Sequence, residues 1–408
     1  MIISVVGIVV LLGLAVLLSE NRKGIRLRVV GAAFALQAGI AAFVLYTPFG
    51  KSVLASISDG VQVVINYSKV GTEFVFGGLA TSTNMGFIFA VQVLPVIIFI
   101  GALTAVLYHL HIMQWVVRIL GGTLRFLVGS APVESLNAAA NIFLGQTEAP
   151  LVIRPYVARV SNNQLFTIMV SGLASVSGAI LAGYASLGVN IQYLIAASFM
   201  SAPGGLLMAK IIRPDPAKLP DEHIELTDTT EDEVDRPANV IDAAALGASE
   251  GLRLAANIGA MLIAFVALIA LLNGMVSGIG GLFGHGDITM NSILGHLFAP
   301  LMYVVGVPWH EAATAGDLIG QKLVLNEFVA FVGLEQVKES LSEHSQMVVT
   351  FALCGFANLS SLGILLGGIG GIAPNRRGDI ARMGLKAIAA GSLSNLMSAA
   401  LASLFVPV

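Results

Sequence analysis

Apolar residues run through this chain in long stretches, and the gaps between charges define its elements. A helix rising 1.5 Å per residue needs roughly 20 mostly apolar residues to cross a hydrocarbon layer about 30 Å thick. Stretches free of Asp, Glu, Lys and Arg therefore predict membrane spans. Residues 2–19 and 29–48 supply two, separated by the basic turn Glu20–Arg28. A third runs about 84–110, and the charge-free interval between Arg159 and Lys210 holds two more with a turn near Gly188-Val189-Asn190. A sixth is expected at about 250–278, a seventh at about 344–371 and an eighth at about 380–405. From Pro48 to Gly78, Lys51, Asp59, Lys69 and Glu73 alternate with apolar residues, as in an amphipathic helix lying at the membrane surface. The N-terminal run from Met1 to Leu18 has no basic segment before it and no small-residue cleavage pattern after it, which predicts an uncleaved helix.

Two segments, 131–158 and 307–333, are apolar yet interrupted by Pro, Gly, Gln and Glu. Read as re-entrant hairpins, with the N-terminus outside, they place 17 of the 21 Lys and Arg residues on one side. These fall in four patches: Arg22, Lys23, Arg26 and Arg28; Arg118, Arg125, Arg154 and Arg159; Lys210, Arg213, Lys218, Arg236 and Arg253; and Arg376, Arg377, Arg382 and Lys386. Basic loops stay in the cytoplasm, so this arrangement makes that side cytoplasmic and puts both termini on the opposite side. Lys51, Lys69, Lys322 and Lys338 fall on the other side.

The hairpins also resemble each other. Pro132-Val133-Glu134-Ser135 leads to Gly145-Gln146-Thr147-Glu148, and Pro308-Trp309-His310-Glu311-Ala312 leads to Gly320-Gln321 and Asn326-Glu327-Phe328. Each precedes an apolar helix broken by small polar residues, at Ser171–Gly178 and at Asn358–Gly363. One hairpin enters from each side, so the two copies form an inverted repeat, and interrupted segments in corresponding halves point to a transport site near the bilayer midplane. A carboxylate at that depth costs at least ~2.5 kcal/mol, which makes Glu148 and Glu327 functional candidates. The expected organisation is N-terminal scaffold helices and the interfacial helix in 1–83, a first repeat in 84–212, an acidic cytoplasmic loop in 213–238, and the sixth span with the second repeat in 239–408. The fold class is all-α: a polytopic membrane protein of eight transmembrane helices and two re-entrant helical hairpins.

Composition agrees with lipid as the main solvent: 56% of the 408 residues are hydrophobic, 11% are charged, and the mean hydropathy is +0.87. A net charge of −3 with no basic surface argues against nucleic-acid binding. Cys354 is the single cysteine, so no intrachain disulfide forms, and His109 and His111 lack metal-ligand spacing. Gly367-Gly368-Ile369-Gly370-Gly371 ends an apolar helix with no strand before it, which reads as close packing or a helix end; Gly274 and Gly278 likewise read as packing. An intramembrane enzyme is the reading from another class, but no catalytic histidine accompanies either carboxylate motif.

Three motifs, Gly145-Gln-Thr-Glu-Ala-Pro-Leu-Val-Ile-Arg-Pro-Tyr156, Asn326-Glu-Phe-Val-Ala-Phe331 and Cys354-Gly-Phe-Ala-Asn-Leu-Ser-Ser-Leu-Gly363, resemble the concentrative nucleoside transporter family. The resemblance extends over essentially the whole chain and implies a homotrimer in a bacterial inner membrane, with periplasmic termini, importing nucleosides such as uridine, cytidine or adenosine down a sodium gradient; a site assembled from both repeats predicts an elevator-like motion, since parting the repeats would dismantle it. By motif, Gln146, Thr147 and Glu148 would face the nucleobase, Glu327, Asn358 and Ser361 would hold the ribose, and Phe356 would pack on the ligand. The family's sodium site maps onto the side chains of Asn141 and Ser175 with the carbonyls of Leu144, Ser175 and Val176, all oxygen donors of the kind a hard cation requires. Proton-coupled relatives are the alternative; Gly145-Gln-Thr-Glu-Ala-Pro150 follows the sodium-coupled pattern.

Overall fold

A computed structural model describes residues 2–81, 87–216 and 237–406, all helical or irregular with no strand among them. The acidic segment expected over 213–238 lies mostly outside the described residues, together with Lys218, Arg236 and the 83/84 boundary. Helices α1 (Ile2–Leu17), α2 (Leu27–Tyr46) and α3 (Pro48–Phe76) open the chain. The α3 start is set by Pro48 at its first turn and by Thr47, whose hydroxyl accepts from Gly50 N. Its inward face is a stripe of Gly50, Leu54, Ser58, Ile65, Ser68 and Thr72. Helices α4 (Leu94–His109), α5 (Ile112–Val128) and α6 (Pro132–Ala140) follow. Next come α7 (Asn162–Ala174), α8 (Gly178–Ser186), α9 (Ile191–Ile212) and the 43-residue α10 (Val240–Leu282). The second half continues with α11 (Met290–Val305), α12 (Trp309–Val324), α13 (Glu327–Val337), α14 (Glu343–Leu353), α15 (Ser360–Ile372) and α16 (Arg377–Phe405).

Among the described residues, six helical stretches are long and apolar enough to cross a membrane: 27–46, 89–109, 162–186, 191–212, 240–282 and 374–405. Each coincides with an expected span. The first expected span is the 16-residue α1, and the seventh is divided into α14 and α15, each too short to cross alone. The sixth begins at Val240, nearly three turns of helix before the expected start near 250, because Asn239 caps it with bonds from Ile241 N and Asp242 N.

Two helices were not anticipated from charge-free runs. α5 carries Arg118 and Arg125 and buries only a stripe of Met113, Val117, Gly121, Leu124 and Val128; α11 carries Asn291 and His296. They occupy corresponding places. Each ends at a glycine with positive φ, Gly129 (76°) and Gly306 (119°), and each is followed within three residues by the proline that opens a hairpin. The turn between α11 and α12 bends the chain by 115°.

The core is unevenly shared. In the most apolar stretch of α9, 94% of residues are buried inside the chain, against 11% in α10. α9 is thus a central strut packed on α2, α7 and α16, whereas α10 meets mainly α4. Small residues allow that contact: a Cβ on Gly101 would stand 2.8 Å from Gly247 O, and one on Gly251 would stand 2.8 Å from Ile98 Cα. Gly274 and Gly278 have nothing within 4 Å, which corrects their assignment as packing glycines within the chain.

Basic patches from separate parts of the sequence meet at one end. Glu20 receives Lys386 Nζ at 2.8 Å and Arg213 Nε at 3.5 Å, and Arg376 donates to Val160 O and Asn162 Oδ1, both at 2.6 Å. Lys210 is buried there, 2.6 Å from Glu134 Oε1 at the base of the first hairpin and 2.8 Å from Asp215. Lys322, counted above as a charge on the opposite side, is no loop residue: it is buried at 2% exposure within the protein.

Candidate functional site

The first hairpin descends along α6, leaves helical geometry at Asn141 and returns through a 3-10 turn at Ala149–Ile153. Its tip rests on the break between α7 and α8, residues 175–177. Gly178 N donates to Phe143 O at 2.8 Å, fixing tip to break. Gly172 permits the close approach, since a Cβ there would lie 2.9 Å from Gln146 Cβ and 3.7 Å from Asn141 Oδ1.

The second copy repeats this construction. α12 and α13 are separated at Leu325, and Asn326 caps α13 by accepting from Val329 N at 2.9 Å. The break between α14 and α15 packs on this hairpin, and Leu359 N donates to Leu323 O at 3.1 Å. The two breaks then join each other directly, Phe356 N donating to Ser175 O at 3.1 Å. Asn395, from α16, serves both: its Nδ2 donates to Ala174 O at 2.7 Å and to Cys354 O at 2.9 Å. Each of these carbonyls lies where a helix stops, and an unpaired buried one would cost about 1–3 kcal/mol.

A polar chain crosses between the copies. Gln146 Nε2 donates to Ser361 Oγ at 3.2 Å, Ser361 N donates to Asn358 Oδ1 at 2.9 Å, and Asn358 Nδ2 donates to Glu327 Oε2 at 2.9 Å. Tyr184 OH, from α8, donates to the other oxygen, Glu327 Oε1, at 3.0 Å. The Tyr184 ring is held between Phe328 and Phe331, with centroids 4.9 and 4.2 Å away. Glu327 is buried at the first residue of α13, where the positive end of the helix favours its carboxylate.

The expected residues are therefore assembled unequally. Gln146, Asn358, Ser361 and Glu327 form one network. Thr147 stands beside it, packed so closely on α15 that a Cβ on Gly368 would lie 2.6 Å away, which bears out close packing for that glycine. Phe356 is half-buried at the α14–α15 break. Glu148 stands apart: it is exposed, and its Oε2 accepts from Gly145 N of its own hairpin at 3.1 Å. Asn141, Leu144, Ser175 and Val176 lie at the tip and the facing break, in stretches where carbonyls are free of the helix ladder. Asn141 Nδ2 donates to Asn137 O, while its Oδ1 is buried with no hydrogen-bond partner among the described residues. An orphaned oxygen beside unwound backbone fits a small hard cation. Gln146 Oε1 is likewise without a partner, leaving an acceptor facing the network.

Tyr184, Lys322 and Asn395 belong to this site and were not singled out from the sequence. Each left a signal: a tyrosine following a break, a lysine five residues before Glu327, and an asparagine inside a span.

Two related helical segments that meet two helix breaks around a buried polar network, in a chain with six helical stretches apolar enough to cross a membrane among the described residues, is the construction of a secondary transporter. The chain belongs to the sodium-dependent, or concentrative, nucleoside transporter family, a family of transporters and not of enzymes. The family model described as "Na+ dependent nucleoside transporter N-terminus" matches residues 6–79, "Nucleoside recognition" matches 90–190, and "Na+ dependent nucleoside transporter C-terminus" matches 193–403. An uncharacterized transporter of Haemophilus influenzae is 53% identical over 99% of this chain and 97% of its own. The nucleoside permease NupC of Helicobacter pylori is 44% identical over 99% and 97%. Among solved structures, CNTnw in an inward-facing substrate-bound state is 50% identical, with a TM-score of 0.94 over 99% of this chain and 97% of that one. A double variant of CNTnw in an outward-facing state gives a TM-score of 0.95 over 99% and 98%, again at 50% identity.

Proposed function

We propose that this protein is a sodium-coupled nucleoside symporter of a bacterial inner membrane. The observation that carries the reading is the network Gln146–Ser361–Asn358–Glu327–Tyr184, built from both copies beside the orphaned Asn141 Oδ1. A ribose presents vicinal hydroxyls. The Glu327 carboxylate retains lone pairs to accept from them, and Asn358 and Ser361 flank it. The free Gln146 Oε1 suits a donor on the nucleobase edge, with Thr147 and Glu148 beside it and Phe356 packing on the ligand. Sodium would take Asn141 Oδ1, Ser175 Oγ and the carbonyls of Leu144, Ser175 and Val176. Held there, it ties the first hairpin to the α7–α8 break and fixes Gln146 for the nucleoside, a positive coupling of typically 1–3 kcal/mol.

The same reading takes α1 and the joined α14–α15 as spans, giving eight with two re-entrant hairpins, both termini periplasmic, and α3 at the membrane surface. The exposed apolar residues of α10, such as Ile263, Leu271 and Leu282, would face lipid or neighbouring subunits of a homotrimer. An elevator-like motion follows from the contacts between copies: parting them would break every ligand contact at once, whereas moving them as one unit preserves all of them.

Purified protein in proteoliposomes tests the reading. An inward sodium gradient should drive uridine accumulation, and unlabelled uridine, cytidine, adenosine, inosine or guanosine inside should show by counterflow which nucleosides exchange. Uptake indifferent to sodium but driven by a pH gradient would replace sodium with the proton as coupling ion. Absence of nucleoside exchange would overturn the reading.

A further inference from the structure

The two copies share a bond that ties each hairpin to its break, and they differ at Lys322. Gly178 N to Phe143 O in the first copy corresponds to Leu359 N to Leu323 O in the second. Aligning the copies on this bond sets Lys322 against Ile142, next to Asn141, a register one position away from the one that pairs Glu148 with Glu327. In the first copy this region holds the partnerless Asn141 Oδ1. In the second, Lys322 Nζ lies buried and donates to Ala352 O at 2.7 Å and to Asn395 Oδ1 at 2.8 Å.

The ammonium thus sits at the C-terminal end of α14, where helix carbonyls carry partial negative charge. No carboxylate lies within ion-pair distance of it among the described residues. Its partners are neutral oxygens, one from an interrupted helix and one from an amide, the donor types that also surround a bound alkali cation. A methionine would fill the same space without the cost of burying charge, so the position uses what the ammonium alone supplies: two donated hydrogen bonds and a positive charge that Glu327, five residues on, also feels. Lys322 also adjoins Leu323, whose carbonyl holds Leu359, and Leu359 follows Asn358.

We propose that Lys322 is a tethered cation: it clamps the second hairpin to the α14–α15 break as sodium clamps the first hairpin to the α7–α8 break. It is a positioning residue, acting on nucleoside through Asn358 and Ser361. The site therefore needs one external cation per nucleoside, because the second is built into the chain. This rests on the sodium-coupled reading above.

Equilibrium binding of radiolabelled uridine to the purified full-length protein, titrated with sodium, tests it. At saturating sodium, Lys322→Met should weaken uridine binding at least about tenfold, the loss expected for hydrogen bonds made by a charged group. Lys322→Arg, which keeps the charge, should lose less. Unchanged binding in Lys322→Met, or equal losses in both variants, would overturn the proposal, the latter because size and not charge would then matter. Should the variants fail to fold, dual-isotope uptake of sodium and uridine by the wild-type protein decides: a ratio of one supports the tethered cation and a ratio of two overturns it. A wild-type protein whose binding ignores sodium would instead remove the underlying reading, a different result from sodium-dependent binding that is unmoved by Lys322→Met.

Discussion

Glu148 and Glu327 hold matching places in two hairpins that resemble each other in sequence, yet the fold treats them differently. Glu327 is buried at a helix start, with one oxygen taken by Tyr184 and the other by Asn358. Glu148 stays accessible within densely packed surroundings, and among the described residues its hydrogen bond is to a backbone N–H three residues away. The difference is one of neighbours. The second hairpin faces α8 and the α14–α15 break, which supply a tyrosine and an asparagine; the first faces the α7–α8 break, which supplies serines and carbonyls. One side of the site is fixed by protein donors, and the other is left with acceptors that need an outside partner.

The comparison is sharpest at Glu327. Glu327→Gln should reduce nucleoside affinity by about a hundredfold or more, because an amide disturbs bonds to Tyr184, Asn358 and the ligand together. The protein should still purify as a monodisperse species, and near-normal uridine binding would remove Glu327 from the site. Glu148→Gln should cost less, about tenfold, since the new amide oxygen still accepts from Gly145 N. Equal losses in these two variants would erase the asymmetry between hairpins.

On the cation side, Asn141→Ala should raise the sodium concentration for half-maximal uptake by about fivefold while leaving uptake at saturating sodium nearly intact, as loss of one neutral ligand implies. A fall in saturated uptake with unchanged sodium dependence would place Asn141 outside the cation site. Tyr184→Phe removes one bond to Glu327 while keeping the stacked ring, and a loss of about threefold in nucleoside affinity is expected. A hundredfold loss would mean that the hydroxyl itself contacts the nucleoside.

Much of this was legible in order along the chain. Charge-free runs located six long apolar helices, because lipid demands a minimum length of apolar sequence whatever the tertiary contacts are. Paired Pro, Gly and carboxylate motifs located the places where helices stop and restart in both halves, since backbone freed from a helix must be met by nearby polar groups. α5 and α11 escaped notice because each buries only a narrow stripe and keeps polar residues on the other face.

Partnership was decided by the tertiary structure. Nothing in the order of residues places Asn395 of the last helix between Ala174 and Cys354, which lie 221 and 41 positions away, or aims Tyr184 at Glu327 across 143 positions. Lys322 looked like an ordinary external charge when counted along the chain, and only the arrival of Ala352 and Asn395 around it makes it an internal one. Sequence records which groups are costly to leave in lipid, because that cost belongs to each residue and its neighbours along the chain. How the cost is met depends on which distant helices are brought within about 3 Å, a distance set by the packing of the whole bundle.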